Sequence, residues 1–140
     1  MPAPIDFWFD FSSPYGYLAS TRIDELAARH GRTARWRPML LGAVFKISGQ
    51  TPLLDIPLKG AYAKRDMERF ARLWNVTLKF PVVFPFSAVA ASRAFYWLDA
   101  RDPALAARFA GAAYATAWGG EKDLAKSETV AEIEIGRAHV

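Results

Sequence analysis

The stretch that most constrains the fold is residues 5–18, which read IDFWFDFSSPYGYL. Its first half sets Asp6 and Asp10 among aromatic and β-branched residues, a pattern that predicts a β-strand. Its second half predicts the start of a helix, because Ser13 is a favoured N-cap residue and Pro14 suits the first helical position. A strand that runs directly into a helix leaves free amide N–H groups and a positive dipole end together. The sequence therefore predicts a place that favours a carboxylate, a phosphate or a thiolate.

Composition limits what such a chain can be. With 140 residues, of which 52% are hydrophobic and 14% aromatic, it is expected to form one domain with a substantial core. It contains no cysteine, which excludes disulfides, thiolate metal ligands and a redox couple carried by the protein. No apolar run is long enough to span a membrane, and no segment resembles a signal peptide. We therefore expect a cytoplasmic enzyme or binding module that contacts neither nucleic acid nor membrane and holds no metal.

Basic residues are densest between positions 59 and 79, in a chain whose formal net charge is +4. Contact with nucleic acid is one interpretation. A solvent-exposed helix face is favoured, because Asp66 and Glu68 interrupt the run. A third interpretation is that one or two of these cations attract a small acidic ligand. The basic residues are Lys59, Lys64, Arg65, Arg69, Arg72 and Lys79.

The rest of the chain predicts a βαβ unit followed by helices. Residues 14–30 have the spacing of an amphipathic helix, and 33–41 predict a second strand that is parallel to the first. Two strands make a marginal sheet unless other elements cover them. The inner face of the first helix is predicted to comprise Tyr15, Leu18, Ala19, Ile23, Leu26, Ala27 and His30. Further helical segments are predicted over 42–47, 60–74, 87–99, 103–118 and from 127 onward. The caps predicted for the last three are Ser87, Asp102 and Ser127. The inner face of 60–74 is predicted to comprise Ala63, Met67, Phe70, Ala71 and Trp74.

Motifs in a fixed order carry a family resemblance. They are DFWFDFSSPYGYL at 6–18, LGAVFKISGQTP at 41–52, PLKGAY at 57–62, RDMER at 65–69, FP at 80–81 and 84–85, and WGGEKDL at 118–124. Together they resemble the 2-hydroxychromene-2-carboxylate isomerases, relatives of the kappa-class glutathione transferases. The likeness extends from residue 5 to about residue 133. It implies an α/β, thioredoxin-like fold with an inserted all-helical domain.

The resemblance also implies site residues and a cofactor, glutathione. Ser13 matches the serine that holds and activates the glutathione thiol in that family, and Lys59 matches a lysine that meets a carboxylate of the tripeptide. Gln50 stands where the family commonly has asparagine in a Gly-Asn-Thr-Pro turn, so its side chain is longer by one methylene. Related disulfide oxidoreductases carry a reactive cysteine at the place of Ser13. The serine therefore argues against redox chemistry here.

The implied chemistry depends on a thiolate. A serine hydroxyl at a helix N-terminus can donate to the thiolate, and the helix dipole further favours its charge. A lower thiol pKa raises the fraction of the nucleophilic form. The family's reaction adds this thiolate to a chromene carboxylate, allows a bond to rotate in the opened adduct and then releases the thiolate. Glutathione is thereby regenerated, and the pathway expected is the catabolism of naphthalene and other aromatic compounds.

Other interpretations stay open. One is a kappa-like glutathione transferase that acts on electrophiles, and another is a non-catalytic thiol-binding module or an inactive fragment. Ser13 could be a plain N-cap that contributes about 1 kcal/mol. Ser12 and Tyr15 either line the pocket or serve as turn and core residues. His30 is interpreted as a structural residue at a helix end rather than a catalytic base.

The family pattern divides the chain into three parts. Residues 1–41 are expected to form the N-terminal βαβ half of a thioredoxin-like domain and 42–133 the helical insert. The C-terminal ββα half of the fold, with its cis-proline loop and further glutathione contacts, is not found in the sequence. For an intact protein, a homodimer is a further expectation that stays open. Residues 134–140, EIGRAHV, fit no pattern of the family. The DNA GAGATCGGAAGAGCACACGTC encodes them and resembles a sequencing-library adapter.

We therefore expect residues 134–140 to be a non-native tail on a truncated chain, and His139 to be an artefact of assembly. Without the partner strands, an apolar sheet edge and face would be exposed, which invites aggregation. The isolated chain is expected to be poorly soluble or molten and to bind glutathione weakly or not at all.

Overall fold

The computed structural model describes residues 2–120 and 122–138, apart from the side chains of residues 134, 135, 137 and 138. Its class is α/β, as predicted. In chain order the elements are β1 (Ile5–Phe9), α1 (Pro14–Ser20), α2 (Ile23–Arg29), β2 (Ala34–Pro38), α3 (Leu41–Ser48), a 3-10 turn (Leu53–Asp55), α4 (Lys59–Leu73), α5 (Val89–Asp99), α6 (Pro103–Trp118) and α7 (Ser127–Ala138).

In the described part of the chain, β1 and β2 form a two-stranded parallel sheet. The register runs from Ile5 opposite Ala34 to Phe9 opposite Pro38. A further bond, from Met39 N to Phe9 O at 2.7 Å, extends the pairing past the proline. The parallel orientation expected for two strands joined by a short helical connection is confirmed.

One face of this sheet is buried under helices. Phe9 packs edge-on against Phe95 of α5, with ring centroids 6.2 Å apart, and its ring is tilted against that of Tyr114 of α6 at 5.5 Å. On α2, Asp24 Oδ1 accepts a hydrogen bond from Trp36 Nε1 at 3.0 Å. These contacts supply the cover that a two-stranded sheet requires.

A second, smaller core joins α1 to α4. Leu18 is 2% exposed and is buried together with Ala63, Met67 and Ala71. The three α4 residues were predicted for the inner face of that helix, and their burial confirms its 3.6-residue period.

The predicted helix over 14–30 is wrong at its centre, because it divides into α1 and α2 around Thr21 and Arg22. Thr21 Oγ1 donates to the carbonyl of Leu18 at 2.7 Å. Hydrogen bonds of this kind compete with the helical ladder. The division changes which side chains are buried. Tyr17 is buried, whereas four residues predicted for the inner face are exposed: Tyr15, Ala19, Leu26 and His30.

Helix starts agree in part with the predictions from the sequence. Asp102 Oδ1 accepts from Leu105 N at 3.1 Å, so α6 begins at the predicted cap. α5 instead has Ala88 at its N-cap. Ser127, predicted as a cap, is the first residue within α7.

The division into residues 1–41, 42–133 and 134–140 stays a prediction. Most side chains of the last segment lie outside the described residues.

The small core between α1 and α4 yields a stability prediction. Leu18→Ala should reduce the free energy of unfolding by about 2 to 5 kcal/mol, because it leaves a cavity in a cluster with few members. The control is Leu73→Ala, whose side chain is 73% exposed and should change stability by less than about 0.5 kcal/mol. Urea denaturation followed by circular dichroism measures both. Equal shifts in the two variants would contradict the predicted role of Leu18.

Candidate functional site

Ser13 begins α1 as predicted. Its backbone is extended, and its Oγ accepts a hydrogen bond from Gly16 N at 3.0 Å, while Pro14 takes the first helical position. The cap uses the oxygen of the hydroxyl as an acceptor. No described residue accepts its proton, so Ser13 can still donate one hydrogen bond to an anion in front of the helix.

The loop between β1 and α1 is organised by Asp10, which is 4% exposed. Its Oδ1 accepts from both the backbone N and the Oγ of Ser12 at 2.7 Å. Its Oδ2 accepts from the backbone N of Leu41, also at 2.7 Å. One buried carboxylate therefore connects the end of β1 to the start of α3. Its hydrogen bonds offset the cost of burying its polar atoms.

Two aromatic residues of α6 fix the same loop from the core side. Tyr114 Oη donates to the Asp10 carbonyl at 2.6 Å, and Trp118 Nε1 donates to the Phe11 carbonyl at 2.9 Å. Both side chains are fully buried. Burial raises the pKa of Tyr114 well above its usual value, and the nearby Asp10 carboxylate raises it further. The Tyr114 hydroxyl therefore stays a proton donor at neutral pH.

A hydrogen bond connects α1 to α4 beside Ser13. Tyr15 Oη donates to Asp66 Oδ2 at 2.7 Å. Burial first, and then Asp66, raise the pKa of Tyr15 to about 12. Asp66 shares one face of α4 with Tyr62 and Lys59, because the spacings between them are three and four residues. The α4 face that begins with Lys59 is therefore turned toward α1.

The other two predicted site residues, Lys59 and Gln50, differ in how their segments of the chain are related to Ser13. Lys59 is exposed and is the first residue of α4, the helix that packs on α1. Gln50 is exposed and follows the left-handed residue Gly49. Among the described residues, neither Lys59 nor Gln50 makes a hydrogen bond to Ser13. Lys59 thus lies on a helix that packs against α1, and the grouping of Lys59 and Gln50 with Ser13 in one site stays a prediction.

The positive end of the first helix is weaker than the sequence predicts, because α1 ends at Ser20 and its dipole is that of about two turns. Pro14 has no N–H, and the N–H of Gly16 is bonded to Ser13. The donors left for a ligand in the described first turn are the Ser13 hydroxyl and the Tyr15 N–H. A thiolate or carboxylate oxygen would therefore be held by hydrogen bonds more than by the dipole.

Across residues 2–120 and 122–138, no group of three His, Cys, Asp or Glu residues is placed to hold a metal ion. No helix there is long and apolar enough to cross a membrane. A cavity of about 390 Å³ opens beside the loop that contains Phe80 and Phe86, and neither Ser13 nor Lys59 lines it.

Several residues that position the candidate site were not identified from the sequence. The strand pattern gives Asp10 only as a polar residue, and Trp118 is predicted only as the end of a helix and the start of a family motif. One signal was available. Tyr114 and Trp118 lie four residues apart on a helix otherwise rich in alanine, so they share a face and carry hydrogen-bond donors into the core.

Known proteins resemble this chain over most of its length. Residues 4–135 match the family described as a DSBA-like thioredoxin domain. The chain is 29% identical over 135 residues to "Glutathione S-transferase kappa 1" of Caenorhabditis elegans, covering 92% of this chain and 60% of that protein. It is 33% identical over 117 residues to "2-hydroxychromene-2-carboxylate isomerase" of Pseudomonas putida, covering 82% and 56%. The chain thus spans 56% to 60% of the length of these two relatives.

A solved structure agrees with the fold. The structure titled "Structure of SeMet 2-hydroxychromene-2-carboxylate isomerase (HCCA isomerase)" matches with a TM-score of 0.75 and 28% sequence identity. The match covers 96% of this chain and 68% of the other. The thioredoxin-like fold inferred from the motifs is therefore confirmed.

The close approach of α1 to α6 yields a second prediction. A Cβ on Gly16 would lie 2.4 Å from Tyr114 Oη, so Gly16→Ala should cost about 1 to 3 kcal/mol through overpacking. Adding Tyr114→Phe removes the clashing oxygen and should recover part of that loss. The control is Gly111→Ala in α6, where an added Cβ meets nothing within 4 Å. It should stabilise the helix by about 0.5 to 1 kcal/mol. Urea midpoints that shift in the same direction for both glycines would contradict the close contact.

The buried Tyr114 hydroxyl yields a prediction of pH dependence. Its folded-state pKa is raised well above the usual tyrosine value of about 10, so the folded protein keeps this proton at a pH where the unfolded chain has lost it. Its stabilising effect is therefore full below about pH 10 and is lost as the pH rises through the folded-state pKa. Tyr114→Phe should cost about 1 kcal/mol at pH 7. Urea unfolding at increasing pH should show the gap to wild type narrowing above about pH 10, and a widening gap would refute the assignment.

Proposed function

The chain belongs to the DSBA-like thioredoxin domain family, and on that premise we propose that it is a glutathione-dependent isomerase of the 2-hydroxychromene-2-carboxylate type. The observation that carries the proposal is the state of Ser13. Its oxygen caps α1 through Gly16 N, and its proton has no acceptor among the described residues. The names of the relatives, an isomerase and a glutathione transferase, support the same class of chemistry.

The hydrogen-bond donors at the site match the anionic groups of glutathione. The Ser13 hydroxyl and the Tyr15 N–H can both donate to a thiolate, and the Lys59 ammonium can meet a carboxylate. When bound, glutathione would supply a thiolate nucleophile that adds to a conjugated substrate and leaves after bond rotation. Ser13 would stabilise the anionic sulfur, which lowers the thiol pKa and raises the thiolate fraction at neutral pH.

The loop that carries Ser13 suits this role because it is held rigidly. Asp10 accepts three hydrogen bonds, from Ser12 and Leu41. Tyr114 and Trp118 donate to the loop carbonyls from the core. A donor fixed in this way needs no reorganisation when charge develops on the sulfur, and preorganised donors stabilise charge most effectively.

The remaining parts of the proposal concern the other glutathione contacts, the substrate, the location and the assembly. Lys59 would bind a carboxylate of glutathione, and Gln50 would be a further contact from the turn before α4. The substrate would be a small aromatic carboxylate from aromatic catabolism. A cytoplasmic location and a homodimer of the intact protein stay predictions.

A second candidate is a kappa-like glutathione transferase, which the similarity to glutathione S-transferase kappa 1 favours. The two reactions differ in the fate of glutathione. An isomerase regenerates it in each turnover, whereas a transferase consumes it. Assays with a chromene carboxylate and with a model electrophile, each followed by thiol titration, therefore separate the two. Binding of glutathione without turnover of either would indicate a thiol-binding module.

The proposed role of Ser13 can be separated from simple capping. Ser13→Asp keeps a favoured N-cap acceptor, but a carboxylate carries no proton at pH 7 and repels a thiolate. We expect unchanged stability to within about 0.5 kcal/mol. The assay uses the full-length protein that the gene encodes. Its glutathione-dependent turnover should fall about 100-fold or more. The pKa of bound glutathione, followed by thiolate absorbance, should rise.

The matched control is Asp102→Ala, which removes the cap of α6. It should cost about 1 kcal/mol in stability and leave turnover at the wild-type rate. If Ser13→Asp is as active as wild type, Ser13 is only a cap, and the proposed function is refuted.

A further inference from the structure

Few groups attach α4 to α1. On the buried side, Leu18 packs in the cluster with Ala63 and Met67. Such apolar contact is non-directional. On the solvent side, the Tyr15 Oη to Asp66 Oδ2 hydrogen bond of 2.7 Å is directional. This bond therefore adds a directional restraint on the position of α4 relative to the first turn of α1.

The bond joins the two helices that carry the residues assigned to glutathione. Tyr15 is two residues after Ser13, and Asp66 is seven residues after Lys59. Seven residues make close to two helical turns, or about 10 Å along the axis, so Lys59 and Asp66 lie on the same face of α4. A shift of α4 at Asp66 would carry Lys59 with it, because the helix between them is continuous.

We propose that Tyr15 is a positioning residue for thiol recognition. Its bond to Asp66 sets the separation between the Ser13 hydroxyl and the Lys59 ammonium, so that the site selects thiols with a carboxylate at a matching distance from the sulfur. This inference rests on the proposed function.

The bond is suited to that role. It persists at neutral pH, because the raised pKa of Tyr15, about 12, keeps the phenol protonated. Tyr15 is 36% exposed, so the contact lies at the solvent edge of the packing between α1 and α4, where a ligand could reach both helices.

Tyr15→Phe is the first test. It removes only the hydroxyl, and the dissociation constant of glutathione should rise roughly 3- to 10-fold, the equivalent of one hydrogen bond. The inhibition constant of 2-mercaptoethanol, which has no carboxylate, should not change, and neither should the thiol pKa of bound glutathione. The matched control is Tyr96→Phe, which removes a bond of the same 2.7 Å length to the Pro38 carbonyl without involving α4. It should leave glutathione binding unaltered.

A double-mutant cycle identifies the residue through which Tyr15 acts. In a Lys59→Met background, Tyr15→Phe should cause no further loss of glutathione affinity, because the cation that it positions is gone. Asp66→Leu should reproduce the effect of Tyr15→Phe. Asp66→Asn keeps an acceptor oxygen and should retain most of the affinity.

The outcomes separate this inference from the proposed function. If wild type binds glutathione and Ser13→Asp loses it, but Tyr15→Phe changes nothing, only the positioning role is overturned. Additive effects of Tyr15→Phe and Lys59→Met, or equal losses for 2-mercaptoethanol, would also overturn it. All of these measurements use the full-length protein that the gene encodes; if that protein shows no glutathione binding, the proposed function fails and this inference fails with it.

Discussion

The arrangement of the molecule around its candidate site depends on the hydrogen bonds of Asp10. Its carboxylate accepts bonds from Ser12 and from the first residue of α3, and its carbonyl accepts from Tyr114 on α6. A single residue therefore connects the sheet, the loop and two helices. Because Asp10 and Tyr114 are buried, loss of their partners would leave buried polar atoms unpaired, which is costly. This cost stabilises the observed conformation of the loop before Ser13.

The two halves of the proposed glutathione site are built differently. Ser13 lies at the end of a loop that is fixed by buried bonds from α6. Lys59 lies on α4, which meets α1 through a small apolar cluster and one bond at the solvent edge of that packing. Such an arrangement suits a reaction in which the sulfur must be held at one point. The rest of the tripeptide would then meet α4, whose position relative to α1 is restrained by the bond between Tyr15 and Asp66.

Much of the fold could be predicted, and the errors have physical causes. The cap of α6 at Asp102 and the inner face of α4 followed from local rules, since a cap and a helical period involve residues a few positions apart. The undivided helix over 14–30 was wrong because side-chain bonds such as Thr21 to the Leu18 carbonyl compete with the helix and do not disturb the apolar spacing. The burial of Tyr17 in place of Tyr15 follows from distant contacts, because Tyr17 packs on Tyr114 and donates to the carbonyl of Thr77.

The sequence by itself determined that a strand runs into a helix at Ser13, that the chain supplies no cysteine there, and that the two strands are parallel. These properties depend on residue types and on short spacings. Only the tertiary structure decided that Asp10 and Tyr114, 104 residues apart, hold the loop together, and that Tyr15 meets Asp66 across 51 residues. Contacts between residues so distant in the chain depend on how helices pack, which no local pattern specifies.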